Sequence, residues 1–235
     1  MRIRAFIGAA AAALAFSGVA AGATTDPQQQ ISQADMAYAQ SVALTGADVG
    51  AAWKDETAAA AGDTTGPDPC PNFAPDESDL VVTGDGGSFF LRRDGASILS
   101  SATTWASAAN AQADFDRTNQ PGLLDCFAKG VTSGSTKKVK IVFVSRGPLA
   151  IAAGTFRAAA YRLRFLVKTT VKVKKKTRTL SVPLTSDLVL FGNDRVNALL
   201  VMTALQTKPL TGPFEAGLVK TMAARMTTVP APTTP

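Results

Sequence analysis

The chain contains no histidine. That absence removes the commonest general base, the commonest metal ligand and every Ser-His or Cys-His nucleophile pair, and with them most familiar hydrolase chemistry. Cysteine is scarce, with Cys70 and Cys126 the only two. No acidic residue stands between Asp125 and Asp187, and past the amino-terminal stretch no apolar run is long enough to cross a bilayer. Cofactor signatures are missing too. Gly84 to Ser88 is glycine-rich but lacks the Gly-Lys-Ser/Thr ending and the following helix of a phosphate cradle. Asp76-Glu77-Ser78-Asp79 lacks the spaced ligands and closing Glu of a calcium loop, so it reads as a solvated loop. Two carboxylates for glycoside chemistry need only meet in space, and the sequence singles out no pair. We therefore assign no catalytic residue, cofactor or metal, and expect a protein that is not an enzyme.

The amino terminus carries the clearest address. Arg2 and Arg4 precede an apolar, Ala-rich stretch from Ala5 to Ala20, and Ala21-Gly22-Ala23 has the small-x-small form that signal peptidases accept. Residues 1–23 are thus expected to be a cleaved signal peptide; the alternative is a retained anchor, for which the stretch is short and weakly apolar. No cysteine at the cut is available for lipid attachment. The expected product is secreted or extracytoplasmic, in the periplasm or cell envelope, without a stable membrane span. In that oxidising setting Cys70 and Cys126 read as a disulfide, whose closure of a long loop stabilises by roughly 4 kcal/mol in the chain-entropy picture. Two free buried thiols are the alternative.

Periodicity supplies the elements. Ile31, Ala34, Tyr38 and Val42 recur at helical spacing and predict a first helix ending before Gly46. Asp48 to Pro75 lacks periodicity and reads as an irregular surface excursion. Leu80 to Thr83, a turn at Gly84 to Gly87, and Ser88 to Arg92 predict a hairpin, followed by a strand from about Ser97 to Trp105. Ser107 is suited to cap a helix reaching Asn119-Gln120, and Pro121 starts another with Leu123, Phe127 and Val131 on one face. A strand around Val139, Ile141 and Phe143 closes at Arg146-Gly147-Pro148.

The strongest alternation runs through Tyr161, Leu163, Phe165, Val167, Val171 and Val173, with Arg162, Arg164, Lys168, Lys172 and Lys174 between. A turn at Lys175-Lys176 pairs it with Leu180 to Leu190 in a register matching Val171 to Leu180 and Leu163 to Leu188, with Pro183 at an edge or bulge. A third strand spans Val196 to Thr203, and Phe214, Leu218, Met222 and Met226 predict a closing helix. The Thr/Pro tail, 227–235, is expected to be disordered. Trp53 and Trp105 suit the core or its rim as well as a binding platform. The order predicts an α+β fold, an antiparallel sheet with helices packed on it, as a single domain over 24–226.

Charge is divided along the chain. Residues 24–125 carry 15 acids against 4 bases, whereas 126–186 carry 14 bases and no acid. One reading packs the acidic elements beside the basic sheet and leaves the lysine-rich tip as a protected edge. The other makes Lys172, Lys174, Lys175, Lys176 and Arg178 a cationic finger for an anionic partner: lipid, wall polymer or protein. Nucleic acid is disfavoured, because no aromatic side chain interleaves the lysines.

Several short stretches carry a family likeness. They are Ala47-Asp48-Val49-Gly50-Ala51-Ala52-Trp53, Leu80-Val81-Val82-Thr83-Gly84, the Ala-rich helix Ala108 to Asp116, and Leu124-Asp125-Cys126. In these and in layout the chain, over about residues 30–226, resembles the PknH-type extracellular sensor domain and related actinobacterial envelope lipoproteins, of Mog1/PsbP-like fold. The resemblance implies an α/β/α sandwich with a cleft for a small or lipidic ligand and no enzymatic activity. The chain departs from it in having two cysteines rather than four, no lipid-acceptor cysteine and no attached kinase. The expected function is a ligand-binding domain of the cell envelope; the alternative is an envelope interaction protein working through the basic hairpin. The cysteine reading is directly testable. The mature chain, denatured without reductant, should show no reactive thiol to a maleimide probe and two after reduction.

Overall fold

The computed structural model describes residues 25–61, 73–151, 154, 156–173 and 176–227. Residues 1–24, expected to hold a signal peptide, Cys70, Lys174, Lys175 and the Thr/Pro tail from 228 lie outside the described residues. The elements in chain order are β1 (Gln28–Gln29), α1 (Gln33–Val42), α2 (Gly46–Val49), β2 (Trp53–Asp55), α3 (Thr57–Ala61), β3 (Val81–Arg92), β4 (Ser97–Trp105), α4 (Ala108–Thr118), α5 (Pro121–Ser133), β5 (Val139–Pro148), β6 (Arg157–Val173), β7 (Lys176–Asn193), β8 (Val196–Leu205) and α6 (Gly212–Arg225).

The strands form one eight-stranded sheet in the order β1-β3-β4-β8-β7-β6-β5, with β2 also on β3. Every pairing is antiparallel except the short β1–β3 contact. The mixed α+β class expected from the order of elements is therefore present. Alternate residues of each strand feed two cores. Phe90, Ile98, Ala102, Val189, Phe191, Leu200 and Met202 meet Ala39 and Val42 of α1, Val49 of α2 and Leu218, Val219 and Met222 of α6. On the opposite face Leu99, Leu163, Phe165, Val167, Leu184 and Leu188 meet Phe115 of α4 and Leu124, Phe127 and Val131 of α5.

The capping signals act where they stand. The Ser107 hydroxyl accepts from the Asn110 amide at the start of α4, and Pro121 occupies the first turn of α5. Four expectations need correction. The stretch from Asp48, expected to be irregular, holds Val49 in the core, the strand β2 paired with β3, and the helix α3. Gly84 to Gly87 is not a turn: β3 runs through it without a break, and the turn comes after Arg92, with Gly95 at φ +93. A Cβ on Gly84 would sit 2.4 Å from the Asp35 carbonyl carbon, and one on Gly86 2.4 Å from the Gln40 amide nitrogen. The glycines let the α1 backbone lie directly on the strand, a role that looks like turn chemistry in sequence.

The first helix is shorter than expected and differently rotated. It ends at Val42, where Leu44 donates its amide to Ser100 Oγ at 2.9 Å and Thr45 opens a capping box with Asp48. Its buried face is Asp35, Ala39 and Val42, while Ile31 and Ala34 are exposed. Asp35 takes that place because Arg195, on the β7–β8 turn, meets it at 2.5 and 3.0 Å.

The β6–β7 register is also shifted by two residues. Val167 faces Val182, Phe165 faces Leu184 and Val173 faces Lys176, in place of the expected pairing of Val171 with Leu180 and Leu163 with Leu188. A slip of two preserves which side chains face the core, so hydrophobic alternation alone does not resolve it. Leu163, Phe165 and Val167 are buried as expected. Pro183 lies one residue beyond the end of the β7–β8 ladder, where its carbonyl accepts the Gln206 amide and its missing N–H ends the pairing.

The glycine argument predicts effects of opposite sign. Gly86→Ala should lower stability by about 1–3 kcal/mol through forced separation of α1 from β3. Gly217→Ala, on α6 with nothing within 4 Å of the added carbon, should raise it by about 0.5–1 kcal/mol. Urea unfolding of the two variants measures both.

Candidate functional site

Where α6 begins, the sheet is incompletely covered. A cavity of about 280 Å³ lies there, lined by Arg162, Thr185, Asp187, Met202, Ala204, Gln206, Pro209, Leu210 and Glu215. Its floor is a single cross-strand row, because Arg162 on β6 pairs with Asp187 on β7, which pairs with Met202 on β8. The chain leaving β8 builds the wall through Pro209 and Leu210. Pro213, in the first turn of α6, has no N–H to lose there and precedes Glu215.

Arg162 grips Asp187 with two bonds, Nε to Oδ1 at 2.7 Å and Nη2 to Oδ2 at 2.5 Å. The same Nη2 lies 3.5 Å from Glu215 Oε2. Asp187 is 1% exposed. Burial, then the Asp187 charge, push the Glu215 carboxyl up to about 7, with Arg162 opposing and a hydrogen bond to Asp187 favouring the protonated form. The Asp187 hydrogen bonds raise Arg162 above its usual value. The floor therefore carries one firm ion pair and one carboxyl that changes charge near neutrality.

Sequence reasoning joined none of these residues. Arg162 stood among several cations alternating with the apolar side of β6, and Asp187 marked the end of the acid-free stretch. The register expected for β6–β7 sets Arg164 opposite Asp187, whereas the observed one sets Arg162 there.

A second carboxyl pair lies beneath α4. Glu77 is pushed up to about 7 by burial and then by the charge of Asp114. Burial also raises Asp114, although Asn197 donates to it at 2.5 Å. The acidic segment Asp76 to Asp79 is thus not simply a solvated loop: the Glu77 amide donates to the Thr25 carbonyl, and Arg117 bonds both Asp79 oxygens. Among the described residues no group of three or more acidic or cysteine side chains is placed to hold a metal ion.

The described residues of the cationic finger fall at the far end of the β6–β7 ladder. Lys172 lies on β6 opposite Thr177, Lys176 opens β7, and Arg178 is exposed opposite Val171. Lys174 and Lys175 lie outside the described residues. The ion pairs that reach the basic stretch among the described residues are Arg146 to Asp125 and Arg162 to Asp187 and Glu215. Cys126 is half-buried on α5, and no described cysteine is free; Cys70, expected as its partner, lies outside the described residues.

Trp105 is buried with Leu80 and Ala111. Trp53 stacks on Phe214 under the Arg92 guanidinium. No described helix is long and apolar enough to cross a membrane. Comparison with family models and with curated proteins finds no match to this chain.

The Glu215 environment generates a pH prediction. A carboxyl whose native pKa is raised costs stability as pH climbs from its unfolded value of 4.5 to about 7, and the full cost remains above that. Glu215→Gln should therefore raise stability by about 1 kcal/mol at alkaline pH, the partial exposure of the group reducing the effect. The gain should vanish below the unfolded value, as read by thermal unfolding across the range.

Proposed function

We propose that the chain is an exported, non-enzymatic binding domain that takes a small polar ligand in the cavity between the sheet and the start of α6. The observation carrying this reading is the cavity floor. Arg162 and Asp187 on that floor meet Glu215 from α6 in a recess also lined by Met202, Ala204, Pro209 and Leu210, the combination of apolar lining and a few fixed polar groups that ligand sites use. At about 280 Å³ the space lies at the small end of such sites, which favours a compact polar molecule over a lipid chain. Helices against both faces of an antiparallel sheet also suit the proposed kinship with PknH-type sensor domains and a Mog1/PsbP-like fold.

The acid pair in the cavity could suggest a hydrolase, but its geometry argues for binding. Both Asp187 oxygens are held by Arg162, and the residue is buried. Glu215 hydrogen-bonds to it, whereas glycosidase carboxyls stand roughly 5–9.5 Å apart with a sugar or water between them. Arg162 fixes both Asp187 oxygens in a firm ion pair, which makes that carboxylate a weak nucleophile and base.

Protein isolated from its own host and sprayed under native conditions should release a bound small molecule on denaturation. Ala204→Phe, which fills the cavity, should abolish that extra mass. Wild-type protein with no bound species, or a species retained equally by Ala204→Phe, would overturn the proposal.

A further inference from the structure

Below the cavity the same sheet face continues bare. The α1, α2 and α6 side chains reach Val189 and Phe191 on β7 and Ala160 on β6, and none joins the core at the rows beyond Arg162. The first of those rows sets Arg164 beside Thr185, which also lines the cavity. The next aligns Val142, Leu166 and Pro183 across β5, β6 and β7, and the next aligns Lys140, Lys168 and Ser181. Lys140, Val142, Arg164, Ser181 and Pro183 are exposed, and Leu166 and Lys168 are half-buried. An apolar row thus lies open between cations on both sides.

We propose that this bare half-face docks on an anionic lipid bilayer. The cation that interaction requires is not cancelled locally: no acid occurs from 126 to 186, and none of Lys140, Arg164 and Lys168 forms an ion pair among the described residues. The backbone along these rows is already paired on β6 from both sides, so covering the face with headgroups strands no amide of that strand. Lysine and arginine can lay their aliphatic stems beside Val142 and Leu166 while their heads reach phosphates. The aligned rows hold no aromatic side chain, which removes both the stacking platform of a nucleic-acid surface and the large anchor typical of a protein interface. The contact is placed on this face rather than on the hairpin tip. This proposal is independent of what fills the cavity.

The test is co-sedimentation of the mature protein with vesicles of phosphatidylcholine alone and with vesicles also containing phosphatidylglycerol. Binding is expected on the anionic vesicles only, and salt should weaken it. Lys140→Ser/Arg164→Ser/Lys168→Ser should lower partitioning about a hundredfold. Lys54→Ser/Arg93→Ser/Lys129→Ser, with the same charge change elsewhere, should lower it far less. Leu166→Ser should weaken the residual binding at high salt. Failure to bind anionic vesicles, equal losses in the two triple variants, or capture by soluble polyaspartate in place of vesicles would each overturn the proposal.

Discussion

Arg195 is the point at which the first helix, two strands and a turn are made to agree. Its Nη1 donates to Asp35, to the Thr83 hydroxyl and to the Trp105 carbonyl, while Nη2 donates to Asp35 again. Both side chains of the ion pair are 2% exposed. Burial works to raise Asp35, but its hydrogen bonds to Arg195 and Thr83 prevail and hold the carboxyl below the usual range. A buried pair of this kind adds little net stability over an apolar substitute, yet losing one partner leaves a stranded charge worth about 3–5 kcal/mol. Its main effect here is positional. With Gly84 and Gly86 removing any side-chain cushion, the pair sets where α1 rests and how far it is rotated.

From that anchored end the molecule loosens in one direction. The rows of β3, β4 and β8 are covered on both faces, and Ser88 and Ser100 share a hydrogen bond under α1. Toward β5 the cover on one face ends with α6, and at that boundary lies the cavity. Charge follows the same gradient. Acids are concentrated near the covered end, where arginines such as Arg195 and Arg225 engage Asp35 and Asp48, and bases dominate the bare strands.

What could be read in the sequence depended on whether a local rule governed the position. The Ser107 cap, Pro121 at the start of α5, the Ser97–Trp105 strand and the buried side of β6 obey short-range rules and stand where expected. Gly84 and Gly86 follow a packing rule that needs the helix above them to be known. Asp35 broke the helical pattern because hydropathy cannot anticipate a partner 160 residues away. The β6–β7 pairing slid by two because period-two alternation repeats at that shift. The cavity was hidden for the same reasons, since it needs the true register and the return of the chain from β8 to α6.

The separation between Asp35 and Arg195 also governs how such a chain can mature. During synthesis the segment holding Asp35 leaves the ribosome long before its counter-charge exists, so α1 can settle on β3 and β4 but its buried carboxylate stays unpaired until the β7–β8 turn has been made. Contacts of this span slow the search for the native state. The final locking of α1 is therefore deferred until the β7–β8 turn is in place.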